Sequence, residues 1–375
     1  MESALIQQHV QELIRDLDPI LSPSAELCAL RRRLVVVGDV HGHLSKLKTL
    51  LGNIGFEKAS GDHLVFTGDL INKGPDSPGV VQLAMDHGAS AVRGNNEDRV
   101  LAAHRLLRIG RISSVPGGDG RPPFENSSAP LPPDIPYAVS SDFVTATQLS
   151  DAQVAWLSSL PLILRIGPFR GAVSPPWNAS SVVVVHGGLV QSLPLEEQDP
   201  WAVMNMRSLV LPSSETHSDA VREALAKGLR DRWCRRTAFQ VTRDEKVDAG
   251  LLSAAASEGC GETTKAPPSR TQDAIPVEAE VGKPWRDAWN ETQNSIEMPA
   301  QRTVVVYGHD ARAGLQDQQE MDVPTELHDK GARGPWTRYA YGLDSGCAYG
   351  NALSAMVIEP SPGMNDIVHR IEQVN

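Results

Sequence analysis

The sequence has few of the features that mark membrane, disulfide-rich or nucleic-acid-binding proteins. Its 4 cysteines are scattered without a C-x-x-C spacing, which argues against a zinc ribbon or a disulfide framework. No apolar run approaches the ~18 residues of a membrane span, and no basic segment before an apolar core marks a signal peptide. The net charge of −11 disfavours binding to nucleic-acid duplexes. We expect a cytoplasmic location, with a vacuolar one left open if a membrane anchor is missing from this chain.

Aromatic residues are also few, at 5%, so valine and leucine must form most of the core. Five runs rich in β-branched residues are apolar through their middle instead of alternating, which is typical of strands covered on both faces. They are 33–40, 63–70, 90–97, 181–188 and 303–310. Helical patterns at 44–55 and 77–88 separate the first three, so the order of elements predicts an α/β fold.

The chain divides into two predicted parts. Residues 1–30 contain apolar side chains at helical spacing and are predicted to form an amphipathic helical segment. Residues 31–375 are predicted to be one domain with insertions at 112–142 and 242–284, where Pro, Gly, Ser and other polar residues predominate. The sequence lacks coiled-coil heptads and leaves the oligomeric state undetermined.

A polar cluster follows each predicted strand. The candidate ligands in these clusters are Asp39, His41, Asp69, Asn95, His186 and His309. Because ligand sites form at the carboxyl ends of strands in such sheets, we expect these side chains to converge. Carboxylate, imidazole and amide groups suit Mn²⁺, Zn²⁺ or Fe, and six ligands are enough for two ions. Two ions about 3.5–4 Å apart promote in-line displacement at phosphorus.

The motifs that carry these residues resemble those of a known superfamily. "GDVHG", "GDLINKGP", "GNNE", "VVHGG" and "YGHD" resemble, in order, the motifs of the calcineurin-like metallophosphoesterases, specifically the phosphoprotein-phosphatase branch. The segments "GDLINKGPDS" and "GLDSGCAYGNALSAMVI" are closer to fungal endopolyphosphatases and bacterial dinucleoside tetraphosphatases of this superfamily. The resemblance implies two β-sheets packed as a sandwich, flanked by α-helices, with a dimetal site at the carboxyl ends of the strands.

The same resemblance implies a role for each matching residue. Asp39 and His41 would bind one metal ion, Asp69 would bridge, and Asn95, His186 and His309 would bind the second ion. The ions would be two divalent cations, Mn²⁺ first, with Zn²⁺, Fe or Co²⁺ as alternatives. A hydroxide bridging them would attack phosphorus, while Lys73, Arg93 and Asn95 would bind the phosphate group.

Two positions depart from the family pattern. Asn96 stands where the family has a histidine that protonates the leaving group, and Asn72 stands where it has an aspartate that orients this histidine. An amide cannot deliver a proton, and loss of a general acid typically costs about 10²–10⁴ in rate. Three explanations remain open: a native preference for phosphoanhydrides, an introduced inactivating substitution of His by Asn, or natural decay of activity.

The sequence therefore predicts a hydrolase of phosphate esters or anhydrides. The first hypothesis for its substrate is a phosphoanhydride, either polyphosphate or a dinucleoside polyphosphate, because a phosphate leaving group with a pKa of about 6 needs little protonation. The alternatives are a Ser/Thr protein phosphatase of the same branch and a catalytically weak phosphate-binding protein.

Overall fold

The computed structural model describes residues 13–25, 32–108, 139–210, 274–322, 335–362 and 365–375. In chain order the strands are β1 (Ile14–Asp16), β2 (Leu34–Val37), β3 (His63–Phe66), β4 (Ser90–Ala91), β5 (Ile163–Arg165), β6 (Ser181–Val185), β7 (Ser208–Val210), β8 (Ile275–Val277), β9 (Lys283–Pro284), β10 (Thr303–Tyr307), β11 (Glu320–Met321), β12 (Trp336–Thr337), β13 (Ala340–Gly342), β14 (Leu353–Pro360) and β15 (Ile367–Val374). The α-helices are α1 (Leu44–Ile54), α2 (Ser77–His87), α3 (Asn95–Arg108), α4 (Val139–Gln148), α5 (Asp151–Ser158), α6 (Pro200–Asn205) and α7 (Trp285–Ser295).

The first large sheet contains the first three predicted strands. Its strand order is β15-β14-β2-β3-β4, with β2, β3 and β4 parallel and β14 antiparallel to β2. The register pairs Val35 with Leu64 and Val37 with Phe66. Every residue of β2 and β3 is buried, as the uninterrupted apolar runs predict. The carboxyl ends of these parallel strands consequently lie along one edge of the sheet.

The second large sheet contains the other two predicted strands. Its order is β1-β5-β6-β10-β13, with β6 and β10 parallel and Val183 paired with Val305. The last four residues of each of these strands are buried. With two five-stranded mixed sheets and helices beside them, the predicted α/β fold is confirmed.

Local sequence signals explain where the helices begin and end. Asp76 caps α2 by accepting a hydrogen bond from the backbone N–H of Gly79, and Gly88 ends the helix in the left-handed conformation. In α1, Leu47, Leu50, Leu51 and Ile54 are buried on one face. These leucines join Val35 and Phe66 in the main hydrophobic core.

Residues 13–25 of the predicted N-terminal helical segment are described, and three of them form a strand instead. Residues 1–12 and 26–30 lie outside the described residues, but Ile14–Asp16 forms β1 instead of a helical turn. β1 pairs in parallel with Ile163–Arg165, and the backbone N–H of Leu17 donates to the Arg165 carbonyl at 2.8 Å. Tertiary pairing with β5 overrides the local helical pattern here.

The two predicted insertions are only partly described, at 139–142 and 274–284. Val139 begins α4, so the last residues of the 112–142 insertion are helical and not a loop. Residues 275–277 and 283–284 form β8 and β9, which both pair with β7 in a small antiparallel sheet. This sheet belongs to a separate compact unit, Met206–Trp285, whereas the two large sheets belong to the unit formed by Met1–Asn205 and Arg286–Asn375.

Within the described ranges, we find no helix with the length and hydrophobicity needed to span a bilayer.

Candidate active site

The structure brings the six predicted ligands together. Asp39 and His41 follow β2, Asp69 follows β3, Asn95 begins α3 after β4, and His186 and His309 follow β6 and β10. All six are buried, with at most 8% of their surface exposed. The carboxyl ends of strands from both large sheets therefore supply one polar cluster, as the sequence pattern predicts.

Backbone strain independently marks the same place. Five residues other than glycine have positive φ angles in the described ranges: His41 (46°), Asp69 (50°), Asn72 (71°), Lys73 (66°) and His309 (69°). Left-handed conformations are unfavourable for residues with a Cβ atom and persist only where the surrounding structure enforces them. Such strain is concentrated at functional sites, and here all five residues are predicted site residues.

Backbone carbonyl groups fix the protonation pattern of the three histidine rings. His186 Nδ1 lies 2.9 Å from the Thr67 carbonyl, His309 Nε2 lies 3.0 Å from the Asn205 carbonyl, and His41 Nδ1 lies 3.3 Å from the Ile71 carbonyl. A carbonyl oxygen can only accept, so each of these ring nitrogens carries the proton. The other nitrogen of a neutral ring carries an electron pair that can coordinate a metal ion.

Two of the three rings lie against Asp69, and the third lies against His186. His186 Nε2 lies 3.3 Å from Asp69 Oδ1, and His41 Nε2 lies 3.5 Å from Asp69 Oδ2. His309 Nδ1 is 3.2 Å from His186 Nε2, which is also 3.2 Å from Asn95 Oδ1. Electron-rich atoms placed this close repel one another unless a cation lies between them. The donor set therefore fits bound metal ions.

The charges of the cluster also suit cations. Ligand atoms of Asp39, Asp69 and His186 all lie within 4.8 Å of one another, and all three residues are buried. Burial, followed by repulsion from Asp344 and Asp69, raises the pKa of Asp39 well above its ordinary value. Burial lowers the pKa of His41 to about 4, which keeps this ring neutral at pH 7. Bound cations would relieve the repulsion between the carboxylates.

Asp39 and Asp69 are each held in place by backbone groups. His309 N–H donates to Asp39 Oδ2 at 3.0 Å, and Asn96 N–H donates to Asp69 Oδ1 at 2.9 Å. Burial alone would raise the pKa of Asp69, but the attraction of His186, His41 and Lys73 outweighs it and lowers the pKa. Gly308 is required beside Asp39, because a Cβ atom there would lie 2.0 Å from Asp39 Oδ1.

Glu97 supports this site, although the sequence analysis assigned it no role. Its fully buried carboxylate accepts hydrogen bonds of 2.8 Å from the backbone N–H groups of Asp69, Leu70 and Gly94. Burial and the nearby charge of Asp69 raise the pKa of Glu97 to about 7. Glu97 thus joins the turn after β3 to the start of α3, and so fixes Asp69 relative to Asn95. Glu97 is the last residue of the "GNNE" motif, and this motif was the sequence signal that could have identified it.

The two predicted phosphate-binding cations lie in different surroundings. Lys73 Nζ is 3.3 Å from His41 Nε2, so Lys73 lies at the cluster. The Arg93 guanidinium donates to the Ser158 carbonyl at 2.6 Å and lies 4.0 Å from Asp98. Neither of these Arg93 partners is a candidate ligand, and its role in phosphate binding stays a prediction.

Asn72 and Asn96 are both buried and bonded to each other. Asn72 Nδ2 donates to Asn96 Oδ1 at 3.1 Å, and Arg99 donates to the same oxygen at 2.6 Å. Asn96 Nδ2 in turn donates to Asp69 Oδ2 and, at 3.2 Å, to Asn95 Oδ1. The Asn96 amide is therefore oriented with its N–H groups toward the candidate ligands.

Two further contributions to the site were not predicted. Asp142, on α4, accepts from Asn72 Nδ2, and it lies within a stretch that the sequence analysis treated as an insertion. Asn205 contributes only its backbone carbonyl, so its residue type carries no signal for this role.

Known proteins are similar to this chain over part of its sequence. The chain is 44% identical over 88 residues to serine/threonine-protein phosphatase 1 of Salmonella typhimurium. It is 29% identical over 159 residues to a symmetrical bis(5'-nucleosyl)-tetraphosphatase of Methylococcus capsulatus. These matches cover 24% and 41% of this chain, and the chain spans only 40% and 48% of the two relatives.

A solved structure supports the fold over nearly the full length. The crystal structure of a candidate diadenosine tetraphosphatase superposes with a TM-score of 0.50 and 25% identity, covering 96% of this chain and 98% of that one. The family described as calcineurin-like phosphoesterase matches residues 32–258, a range that contains five of the six converging ligands. By its motifs, its fold and this match, the chain belongs to the calcineurin-like phosphoesterase family.

Proposed function

We propose that this protein is a dimetal-dependent hydrolase of phosphoanhydrides, with polyphosphate or a dinucleoside polyphosphate as substrate. One observation carries the proposal: the imidazoles of His41 and His186 lie within 3.5 Å of Asp69, inside a buried cluster that also contains Asp39, Asn95 and His309. The relatives named as bis(5'-nucleosyl)-tetraphosphatases support an anhydride substrate.

The donor set divides between two ions. Asp39 and His41 would hold the first ion, Asn95, His186 and His309 would hold the second, and Asp69 would bridge them. Nitrogen and oxygen ligands of this kind suit Mn²⁺ best in our proposal, with Zn²⁺, Fe or Co²⁺ as alternatives. When bound, the ions would activate the attacking water and stabilise the charge that develops on the phosphate oxygens.

The side chains of the protein have three further tasks. Lys73, adjacent to His41, would bind a phosphate oxygen as a point charge, and Arg93 would supply a second cation. The carbonyls of Thr67, Ile71 and Asn205 keep the histidine rings in the orientation and tautomer that ligands need. Asn96 would donate a hydrogen bond near the reacting phosphate but could not donate a proton.

The missing proton donor decides the substrate class in this proposal. A serine alkoxide is a poor leaving group and needs a general acid, whereas a phosphate released from an anhydride has a last pKa of about 6. The pair Asn72–Asn96 would therefore slow the hydrolysis of phosphoserine much more than that of an anhydride. An introduced substitution or natural decay at Asn96 would instead reduce both activities.

The test is phosphate release from polyphosphate and from a phosphoserine peptide at saturating Mn²⁺. The chain and its Asn96→His variant are compared, with metal content measured in parallel. We expect the chain to cleave polyphosphate, to bind two ions, and to gain less than about tenfold on polyphosphate from the variant. A gain of about 10²-fold or more on both substrates would show ordinary acid catalysis and reject the anhydride preference.

A second candidate is a Ser/Thr protein phosphatase, because 88 residues are 44% identical to such an enzyme. It predicts that the Asn96→His variant is much more active on the phosphopeptide than on polyphosphate. A weak phosphate-binding protein would instead hold fewer than two ions and hydrolyse neither substrate.

A further inference from the structure

An exposed aromatic side chain lies beside the candidate active site. Tyr349 has 71% of its surface exposed, the highest fraction among the exposed large hydrophobic side chains of the described ranges. It ends a short 3₁₀ turn, Cys347–Tyr349, between Gly346 and Gly350, whose φ angles are 77° and 87°. A tyrosine has a large apolar ring face, and here that face is open to a ligand.

The turn that displays Tyr349 is attached to the site. The thiol of Cys347 lies 3.8 Å from the carbonyl of Val40, the residue between the candidate ligands Asp39 and His41. Lys46 Nζ donates to the carbonyl of Asn351 at 2.6 Å, which secures the other end of the turn to α1. The turn that displays the ring is therefore attached beside the site at both of its ends.

The ring lies next to the cation that would bind phosphate. Lys73 Nζ is 5.8 Å from the centroid of the Tyr349 ring and 3.3 Å from His41 Nε2. A cation over a ring face is favourable, and this contact places the ring beside the candidate phosphate-binding group. A ligand whose phosphate contacts Lys73 would place its neighbouring group within reach of the ring.

The chemistry of that group distinguishes the two anhydride substrates. Inorganic polyphosphate presents only further phosphates, which are strongly hydrated and gain nothing from an aromatic surface. A nucleoside-terminated polyphosphate presents a flat base, and stacking of a base on an aromatic side chain stabilises a complex by about 1–3 kcal/mol. Only the nucleoside-terminated polyphosphate would use both the Lys73 ammonium group and the Tyr349 ring.

We propose that Tyr349 is a stacking platform for a nucleobase and selects dinucleoside polyphosphates over inorganic polyphosphate. This inference rests on the proposed phosphoanhydride hydrolase function and specifies its substrate class. Tyr349 determines binding of the substrate and takes no part in the chemical step. The phenolic hydroxyl is not required, so a phenylalanine should replace it.

The first test compares Tyr349→Ala and Tyr349→Phe with the unchanged chain in Mn²⁺. The substrates are diadenosine tetraphosphate and inorganic tetrapolyphosphate. We expect Tyr349→Ala to lower kcat/KM for the dinucleotide by about tenfold, mainly through KM, and Tyr349→Phe to stay within about twofold. The ratio of the two substrates' kcat/KM values should therefore fall about tenfold in Tyr349→Ala alone. An equal loss on both substrates, or no loss on either, would overturn the proposal.

A binding measurement separates this inference from the proposed function. If the unchanged chain hydrolyses neither substrate, the proposed function fails, but the platform is still tested by calorimetric titration. The probe is a methylene-bridged, non-hydrolysable diadenosine tetraphosphate in Mn²⁺. We expect about tenfold weaker binding to Tyr349→Ala than to Tyr349→Phe; equal affinities would reject the platform.

Discussion

Asn72 Nδ2 donates a hydrogen bond of 2.5 Å to Oδ1 of Asp142, and both residues are buried. Asp142 also accepts from Arg99 Nε at 3.1 Å, while Arg99 and Asn72 together hold the oxygen of Asn96. The carboxylate of Asp142 thus contacts Asn72 directly and Asn96 through Arg99, and it orients the side chains of both asparagines. Through Asn96, this orientation extends to Asp69 and Asn95.

The first prediction concerns Asp142 as a positioning residue. In Asp142→Asn, an amide N–H would face a donor of either Asn72 or Arg99, and the negative charge that holds Arg99 would be lost. We expect the free energy of unfolding to fall by about 1–3 kcal/mol. We also expect kcat/KM for polyphosphate to fall about tenfold, with weaker Mn²⁺ binding. Denaturant titration, steady-state kinetics and calorimetry measure these three quantities.

Asp151→Asn is the matched control, because Asp151 forms an ion pair with Arg108 (3.4 Å) at the protein surface. The side chain of Asp151 is 89% exposed. Exposed ion pairs contribute little to stability. We therefore expect the free energy of unfolding to change by less than about 0.5 kcal/mol and the kinetics to be unaltered. If Asp142→Asn loses stability but keeps its kinetics and Mn²⁺ affinity, Asp142 has only a structural role.

The second prediction concerns metal binding. His186 and His41 both lie within 3.5 Å of Asp69, so Asp69→Asn should reduce the bound Mn²⁺ from two ions to at most one. Removal of Mn²⁺ with EDTA should lower the Tm of the unchanged chain by several degrees, because a ligand at 100 times its Kd stabilises by about 2.7 kcal/mol. This shift should shrink in Asp69→Asn and persist in Asp16→Asn, a change at an exposed strand residue. An equal EDTA shift in both variants would exclude Asp69 as a ligand.

Much of the fold and of the ligand set could be predicted because local patterns specify them. The strands β2, β3, β6 and β10 are buried on both faces, so their apolar runs are continuous and easy to identify. Parallel strands place their following residues at one edge, which is why Asp39 and Asp69 could be assigned to one site. His186 follows a strand of the second sheet, and its place in the same site was implied by the resemblance of its motif.

The remaining features depend on contacts between distant residues. Asp142 reaches Asn72 across 70 positions of the sequence, and no spacing rule connects an aspartate on one helix with an amide on a loop. Ile14–Asp16 looks helical by itself, and only its partner strand, Ile163–Arg165, makes it β1. The left-handed backbone of Lys73 is also invisible in the sequence, because lysine has no preference for that conformation.

The third prediction concerns Glu97. Each of its carboxylate oxygens accepts two backbone N–H groups: Asp69 and Gly94 on one, Leu70 and Ile71 on the other. In Glu97→Gln, an NH₂ group must replace one of these oxygens and face two donors. We expect the free energy of unfolding to fall by about 2–3 kcal/mol in urea titrations. Glu196→Gln, at an exposed side chain, should change it by less than about 0.5 kcal/mol. Equal stability of the two variants would contradict the bracing role of Glu97.

The fourth prediction concerns the pH dependence of stability through His63, away from the metal site. Burial, with a smaller effect of Lys58, lowers the pKa of His63 to about 4, and its Nε2 lies 2.9 Å from Ser90 Oγ. The unfolded chain binds a proton at this histidine below pH ~6.5. Between about pH 6.5 and pH 4 the unfolded state therefore holds more protons than the native state. Stability must rise with pH through this window and fall as the pH is lowered.

By this linkage, His63 should account for about 2 kcal/mol of the stability lost between pH 7 and pH 5. In His63→Gln this part of the loss should disappear, because glutamine does not titrate. Ser90→Ala removes the hydrogen-bond partner but keeps the imidazole, so it should be less stable at both pH values and keep most of the pH dependence. Urea titrations at pH 7 and pH 5 measure the loss of stability on acidification. EDTA is present in both, so that metal binding does not contribute. If His63→Gln loses as much stability on acidification as the unchanged chain, another group is responsible for the pH dependence.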